Sequence, residues 1–339
     1  MMNKMTKIMF LLMSMFSVLI SISSNSWFIV WMGMEMNLMS FMPLMMNSEN
    51  ISSKESMMTY FMTQTIASML LMMSIVMMMW KSSINENELF NNKEMMMLLS
   101  LMMKSGTSPL HFWLPKTMEG LKWSSCLMLM TLQKMIPLML LTKVIKINTF
   151  SMTVVMTSMI VGAIGGLNQT SLRKLMAYSS ISNNGWMISA MMISEKTWII
   201  YFMMYSMMIT VMTMSMMKYK NYHMNQLMSM NEPLKTKMML LMNMMSISGL
   251  PPMMGFMPKL MVIKANIINM EMMTMLTAMM AALITIYYYL RLMLSMMLMT
   301  KYSPKWNTKI FKKKNYKLMM TSMMSIIGLT MITLMYTIY

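Results

Sequence analysis

Residues 69–80 read MLLMMSIVMMMW, and residues 272–289 read MMTMLTAMMAALITIYYY. Neither stretch alternates apolar and polar side chains, as a membrane β-strand must. Methionine and leucine are strong helix formers, so both stretches read as helices, and as helices they are apolar on every face. Such a helix is surrounded by protein or lipid rather than water.

The rest of the chain follows the same pattern. Over 339 residues, 57% are apolar and 11% charged, with a mean hydropathy of +0.53. A soluble domain carries about 25% charged residues, so this chain cannot cover a core of its size with a water-facing surface. Soluble globular, disordered and coiled-coil classes are excluded, leaving an all-α polytopic membrane protein. With about 20 residues per crossing the length holds about eleven transmembrane helices. They are placed at 7–22, 27–46, 58–80, 95–113, 124–145, 150–168, 174–194, 198–217, 237–268 (interrupted), 272–299 and 318–338, and residues 1–339 form a single transmembrane domain. Trp27, Trp80, Trp123 and Trp198 stand at proposed span ends, where an indole prefers the headgroup level. Lys4 and Lys7 ahead of an apolar run are also compatible with a cleavable signal. No small-residue cleavage pattern follows, and the first span is kept as mature protein.

Twenty-eight Lys and Arg stand against ten acids, all Glu, for a net charge of +18. In a membrane protein this excess marks orientation rather than nucleic-acid binding. With eleven crossings, Lys4, Lys7, Lys54, Lys116, Lys122, Arg173, Lys174, Lys218, Lys220, Lys235, Lys237 and the lysines of 301–317 fall on the N-terminal side, and Lys81, Lys93, Lys146 and Lys196 on the other. The N-terminus is therefore expected in the inner, positive compartment. The longest polar connections include the basic loops 218–237 and 300–317, read chiefly as solvated topology signals. The single Cys126 excludes a disulfide framework and a cysteine-ligated cluster.

Glu35, Lys104, Lys134, Lys143, Lys259, Lys264 and Arg291 fall inside proposed spans. A charge at the bilayer centre costs about 2.5–3.5 kcal/mol even on lenient scales, so it persists where it pairs, faces protein or lines water. Lys143 lies near a span end and can snorkel; Lys264 and Arg291 are ambiguous. Lys104 precedes Gly106 and Pro109, Lys134 precedes Pro137, and Lys259 follows Gly249-Leu-Pro-Pro252 and Gly255. Irregular backbone at membrane depth is tolerated only inside protein or beside water, and broken helices with adjoining charges are the architecture of secondary transporters. Burial disfavours a lysine's ammonium form and a neighbouring carboxylate favours it, so a row of Glu35, Lys104, Lys134 and Lys259 has what a lateral proton relay needs. His111, past the first break, either relays protons or hydrogen-bonds freed carbonyls; His223 sits in a basic loop. No dinucleotide fingerprint, phosphate loop, metal-spaced cluster or pair of in-helix haem ligands is present.

Three segments carry a resemblance. Lys104-Ser-Gly-Thr-Ser-Pro-Leu-His-Phe-Trp-Leu-Pro115, Gly166-Leu-Asn-Gln-Thr-Ser-Leu-Arg-Lys-Leu-Met-Ala-Tyr-Ser-Ser-Ile181 and Gly249-Leu-Pro-Pro-Met-Met-Gly-Phe-Met-Pro-Lys259, together with Ser23 to Asn37, resemble the mitochondrial NADH dehydrogenase (ubiquinone) subunit 2 family. These are the antiporter-like membrane-arm subunits of respiratory complex I. The matches run in order from residue 23 to 259, and the methionine bias fits an invertebrate, insect-type mitochondrial code. The resemblance implies an antiporter-like fold truncated at its N-terminus, in the mitochondrial inner membrane with its N-terminus in the matrix. It also implies proton translocation through Glu35, Lys104, Lys134 and Lys259, with neighbouring antiporter-like subunits and the lipid bilayer as partners. NADH, FMN, Fe–S clusters and ubiquinone would be handled by other subunits, with no cofactor on this chain. Asn183 stands where the family usually has histidine, and asparagine cannot carry a proton charge. Lys116 replaces a common acid. The alternative reading of the same charges is a stand-alone cation/proton antiporter.

Overall fold

The computed structural model describes residues 4–47, 50–80, 86–230, 234–251 and 253–299. The expected last span 318–338 and the basic loop 300–317 lie outside these. Fourteen helices occur among the described residues: α1 Lys4–Ser23, α2 Trp27–Met45, α3 Ile51–Met79, α4 Glu86–Ser105, α5 Trp113–Gly120, α6 Trp123–Met130, α7 Leu132–Val144, α8 Thr149–Gly165, α9 Leu172–Ile193, α10 Glu195–Tyr219, α11 Met224–Met228, α12 Leu234–Ser248, α13 Phe256–Ile268 and α14 Met272–Met299. There is no strand among the described residues beyond one isolated bridge between Ser171 and His223. Six stretches are long and apolar enough to cross a bilayer: Met5–Ser23, α2, α3, Trp123–Val144, α10 and Met272–Met297. The chain divides into two compact units, Met1–Ser158 and Met159 onward.

In the first unit, α1 packs on α2, and α3 packs on α2, α4 and α5. Close approach of α1 and α2 follows from small side chains. Ser14, Ser17 and Ser21 are buried on one face of α1, and a Cβ at Gly33 of α2 would lie 3.1 Å from the Ser21 Cβ. Small residues let helix backbones meet closely in lipid. Helix α3 is sorted by periodicity. Ser53, Ser56, Tyr60, Gln64, Ala67, Leu71 and Ser74 recur every three or four residues and are buried, while Met58, Met62, Ile66, Met69, Met73 and Val76 are exposed on other faces. The polar stripe thus turns inward and the methionine stripe outward, the reverse of a soluble amphipathic helix. Its serines return their hydroxyls to carbonyls of the preceding turn, as Ser56 does to Ser53 and Ser74 to Leu71, so none asks lipid for a partner.

In the second unit α9 is central. Every residue from Ile181 to Ala190 is buried, and α9 is packed by α10, α13 and α14. The start of α10 is fixed by Ser194, whose side chain accepts the Thr197 N–H at 3.2 Å, with Glu195 in the first turn where a negative charge suits the helix dipole.

Several expectations are corrected here. The break expected within 95–113 is not one of them: it follows Ser105, and the chain is helical again in α5. The span at 124–145 is divided at Thr131 (φ −113°, ψ −77°), and α7 continues through Pro137. The carbonyl that Pro137 leaves without an N–H is that of Gln133, yet the interruption lies two residues earlier, at Thr131. Trp123 and Trp198 are buried in protein. Loop 218–237 contains α11, and Lys237, expected to be solvated, lies buried on α12. Lys264 and Arg291 are exposed on α13 and α14, which removes them from the buried charges. Lys143 is exposed in the last turn of α7, as a snorkelling residue should be.

Candidate functional site

Two helix breaks were expected at Gly106 and Gly249, and both are present. After α4 the chain turns at Gly106, whose φ of +72° is costly for any residue with a Cβ. Three of the carbonyls freed there are engaged. Met102 O accepts from the Gly106 N–H, the Thr107 N–H and the Thr107 hydroxyl, Met103 O accepts from the Trp113 indole at 3.1 Å, and Lys104 O accepts from Gln64 at 3.5 Å. The break is therefore a built element, with donors supplied from α3 and α5. His111 lies within it, its Nδ1 3.2 Å from the Pro109 carbonyl. Of the two uses weighed for His111, the contact with a freed carbonyl is the one the geometry displays.

The break positions Lys104, which is 8% exposed. Its ammonium contacts the Met34 sulfur at 3.6 Å, and Met34 lies beside Glu35 on α2. Glu35 is half-buried, with Oε1 enclosed and unbonded. Among the described residues no ion pair within 4 Å joins Glu35 to Lys104. Lys134, 2% exposed, lies on α7 just past the interruption at Thr131. Lys104 and Lys134 line one small cavity with Tyr60, Gln64 and Gln133. Three of the four relay candidates, Glu35, Lys104 and Lys134, thus share the first unit, and two of them share a cavity.

In the second unit, Gly249 turns the chain after α12 with φ +82°. Lys259, in the first turn of α13 and 7% exposed, donates its ammonium to the Ser248 carbonyl at 2.7 Å and lies 5.9 Å from the Trp186 ring centroid. A carbonyl at a helix C-terminus is the negative end of the helix dipole, so the break itself provides the electrostatic seat for this charge. Asn183 is buried on α9 and accepts the Tyr201 hydroxyl at 3.2 Å. A neutral, hydrogen-bonded amide occupies the position.

Sequence reasoning missed the neutral partners. Asn37 and Gln133 form a reciprocal amide pair at 3.0 and 3.1 Å, and the Tyr60 hydroxyl donates to the same Gln133 oxygen at 3.1 Å. The available signal was polar side chains four apart, Tyr60 and Gln64, within an apolar run. Among the described residues no cluster of three His, Cys, Asp or Glu could hold a metal.

The transmembrane family model of the NADH:quinone oxidoreductase/Mrp antiporter group matches residues 24–285. Curated relatives named NADH-ubiquinone oxidoreductase chain 2 are 48% identical in Aedes aegypti and 42% identical in Anopheles gambiae, each alignment covering 99% of this chain and 100% of the relative. The chain belongs to the NADH-ubiquinone oxidoreductase chain 2 family. Solved structures agree on the fold of this chain-2 member. A chain of Thermus thermophilus respiratory complex I superposes with a TM-score of 0.80 at 18% identity, covering 97% of this chain and 79% of that one. A chain of the Mrp complex from Dietzia gives 0.76 at 17% identity, over 85% of this chain and 59% of that one. The antiporter-like, all-helical membrane fold expected for the family is therefore present.

Proposed function

We propose that this chain is a core membrane-arm subunit of proton-translocating NADH:ubiquinone oxidoreductase, moving protons through Glu35, Lys104, Lys134 and Lys259 under the drive of redox chemistry in other subunits. The observation that carries the reading is the burial of Lys104, Lys134 and Lys259, each nine-tenths or more enclosed and each beside a helix interruption. Apolar helices discard such charges unless they are used. An amine that can exchange one proton is the elementary unit of a relay, and Lys104 and Lys134 line a small cavity together. The full-length likeness to chain-2 relatives supports the complex and the assignment to a respiratory chain.

Finer features belong to the same proposal. The chain forms one transmembrane domain of about eleven crossings in the mitochondrial inner membrane, with the N-terminus on the matrix side, where most lysines of the connecting segments fall. His111 and Asn183 have secondary, hydrogen-bonding roles. Neighbouring antiporter-like subunits and lipid are the partners, and NADH, FMN, Fe–S clusters and ubiquinone are handled by other subunits.

Replacing Lys134 or Glu35 with Ala tests the reading. The proton-to-electron ratio should fall while the complex still assembles; a normal ratio in the assembled double variant overturns it. The likeness to the Mrp chain keeps a stand-alone cation/proton antiporter as the second reading. Native electrophoresis separates the two, since co-migration with an NADH-oxidising band of megadalton size excludes a free antiporter.

A further inference from the structure

The relay does not account for the neutral polar cluster beside it. Gln133 Oε1 accepts from Asn37 of α2 and from Tyr60 of α3, while Gln133 Nε2 donates back to Asn37. Three helices meet on one amide. Asn37 and Tyr60 are buried and Gln133 is half-buried. An enclosed amide costs about 1–3 kcal/mol if left unbonded, and an apolar residue would pack the same space without that liability. The cluster therefore has a use beyond packing.

Its position indicates which. One small cavity is lined by Lys134 with Tyr60, Gln64, Lys104 and Gln133. A second is lined by Asn37, Met34 and Pro137, again with Tyr60, Gln64, Lys104 and Gln133. Tyr60 and Gln133 thus form part of the wall common to both, with Lys134 on one and the α2 residues on the other. Gln133 also lies two residues past the interruption at Thr131, in a first helical turn whose backbone is not fixed by a preceding turn of the same helix.

We propose that Asn37, Gln133 and Tyr60 are positioning residues that form the closed gate between these two cavities. When closed, the amide pair and the phenol satisfy one another and keep water from joining the cavity beside Lys134 to the one beside α2. When open, each group exchanges its partner for water. An amide donates to and accepts from water as it does from another amide, so the exchange keeps the number of hydrogen bonds and stays near balance. Being neutral, the gate passes a proton along water without holding one itself.

The proposal rests on the relay reading, and the test separates the two. Whole complex carrying variants of this chain, in sealed inner-membrane vesicles, is assayed for protons moved per electron and for passive decay of the proton gradient after NADH oxidation is stopped. Gln133→Ala removes the wall and should lower the ratio while speeding the decay severalfold. Gln133→Leu fills the same space with a side chain water cannot replace, so it should lower the ratio without speeding the decay. Exchanging the amides, Asn37→Gln with Gln133→Asn, should restore much of what either amide loses when changed alone to Leu. Equal decay rates for the Ala and Leu variants, a wild-type ratio in both, or no recovery in the exchanged pair overturns the gate. Should either Gln133 variant fail to assemble, Tyr60→Phe, which deletes one hydroxyl, carries the test: faster decay supports the gate and an unchanged rate overturns it. Lys134→Ala is the reference. A normal ratio there overturns the relay reading, whereas a lowered ratio there with wild-type behaviour at Gln133 overturns only the gate.

Discussion

The ammonium of Lys104 rests 3.6 Å from the sulfur of Met34, while Glu35, the next residue along α2, keeps a carboxylate oxygen enclosed with no hydrogen-bond partner. The acid and the amine form no contact pair. A contact pair fixes both side chains, whereas a carboxylate charge held apart from the amine leaves each free to take water as a partner. Glu35→Gln keeps the shape and removes that charge. It should cut redox-coupled pumping by about tenfold or more with assembly unchanged, measured as the initial rate of vesicle acidification at matched NADH oxidation.

Lys134→Met replaces a buried amine by an apolar side chain of similar length. Removing a buried amine removes its desolvation cost, so the thermal stability of the assembled complex should fall by much less than pumping does. Differential scanning fluorimetry alongside the proton-to-electron ratio reads both. A loss of stability equal to the loss of pumping would make the role of Lys134 structural.

Gly249→Ala acts on the second break. At φ +82° a side chain is strained, and the new Cβ would meet Lys259 Cδ and Nζ at 3.0 Å. The expected cost is about 1–3 kcal/mol, together with displacement of the Lys259 ammonium from the Ser248 carbonyl. Assembly yield at raised temperature should drop, and at permissive temperature pumping should remain below wild type.

Trp113→Phe removes one donor from the first break. Met103 O would lose its indole partner and keep only the Gly106 N–H at 3.3 Å, at a cost of about 0.5–1.5 kcal/mol for one lost hydrogen bond. Faster proteolysis of the solubilised complex should report it, with cleavage gained near residues 106–112.

Asn183→Leu deletes the acceptor of the Tyr201 hydroxyl. The position holds no exchangeable charge, so the variant should lose about 1 kcal/mol of stability and much less pumping than Lys134→Met. A collapse of pumping equal to that of Lys134→Met would instead place an essential step at Asn183.

The charged members of the site were legible because lysine in an apolar run is conspicuous, and two of the breaks were legible because Gly106 with Pro109 and Gly249 with Pro252 punctuate the sequence. The third was not. Nothing at Thr131 marks an interruption, and Pro137, six residues on, lies within the helix that follows. Lys237 was misplaced for the converse reason: its neighbourhood reads as a basic loop, and only the packing around α12 encloses it. The amide cluster escaped because Asn37, Tyr60 and Gln133 lie on three helices, and their pairing depends on how those helices are rotated. Side-chain spacing along one helix gives no access to that.

The seat of Lys259 has a kinetic side. A carboxylate partner would have to be pulled apart from an ammonium before a proton could leave, or else leave as an acid. The Ser248 carbonyl accepts a hydrogen bond from an ammonium and from a neutral amine alike. The heavy atoms can therefore stay where they are as the proton comes and goes, and the reorganisation that slows charge transfer elsewhere is small at this site.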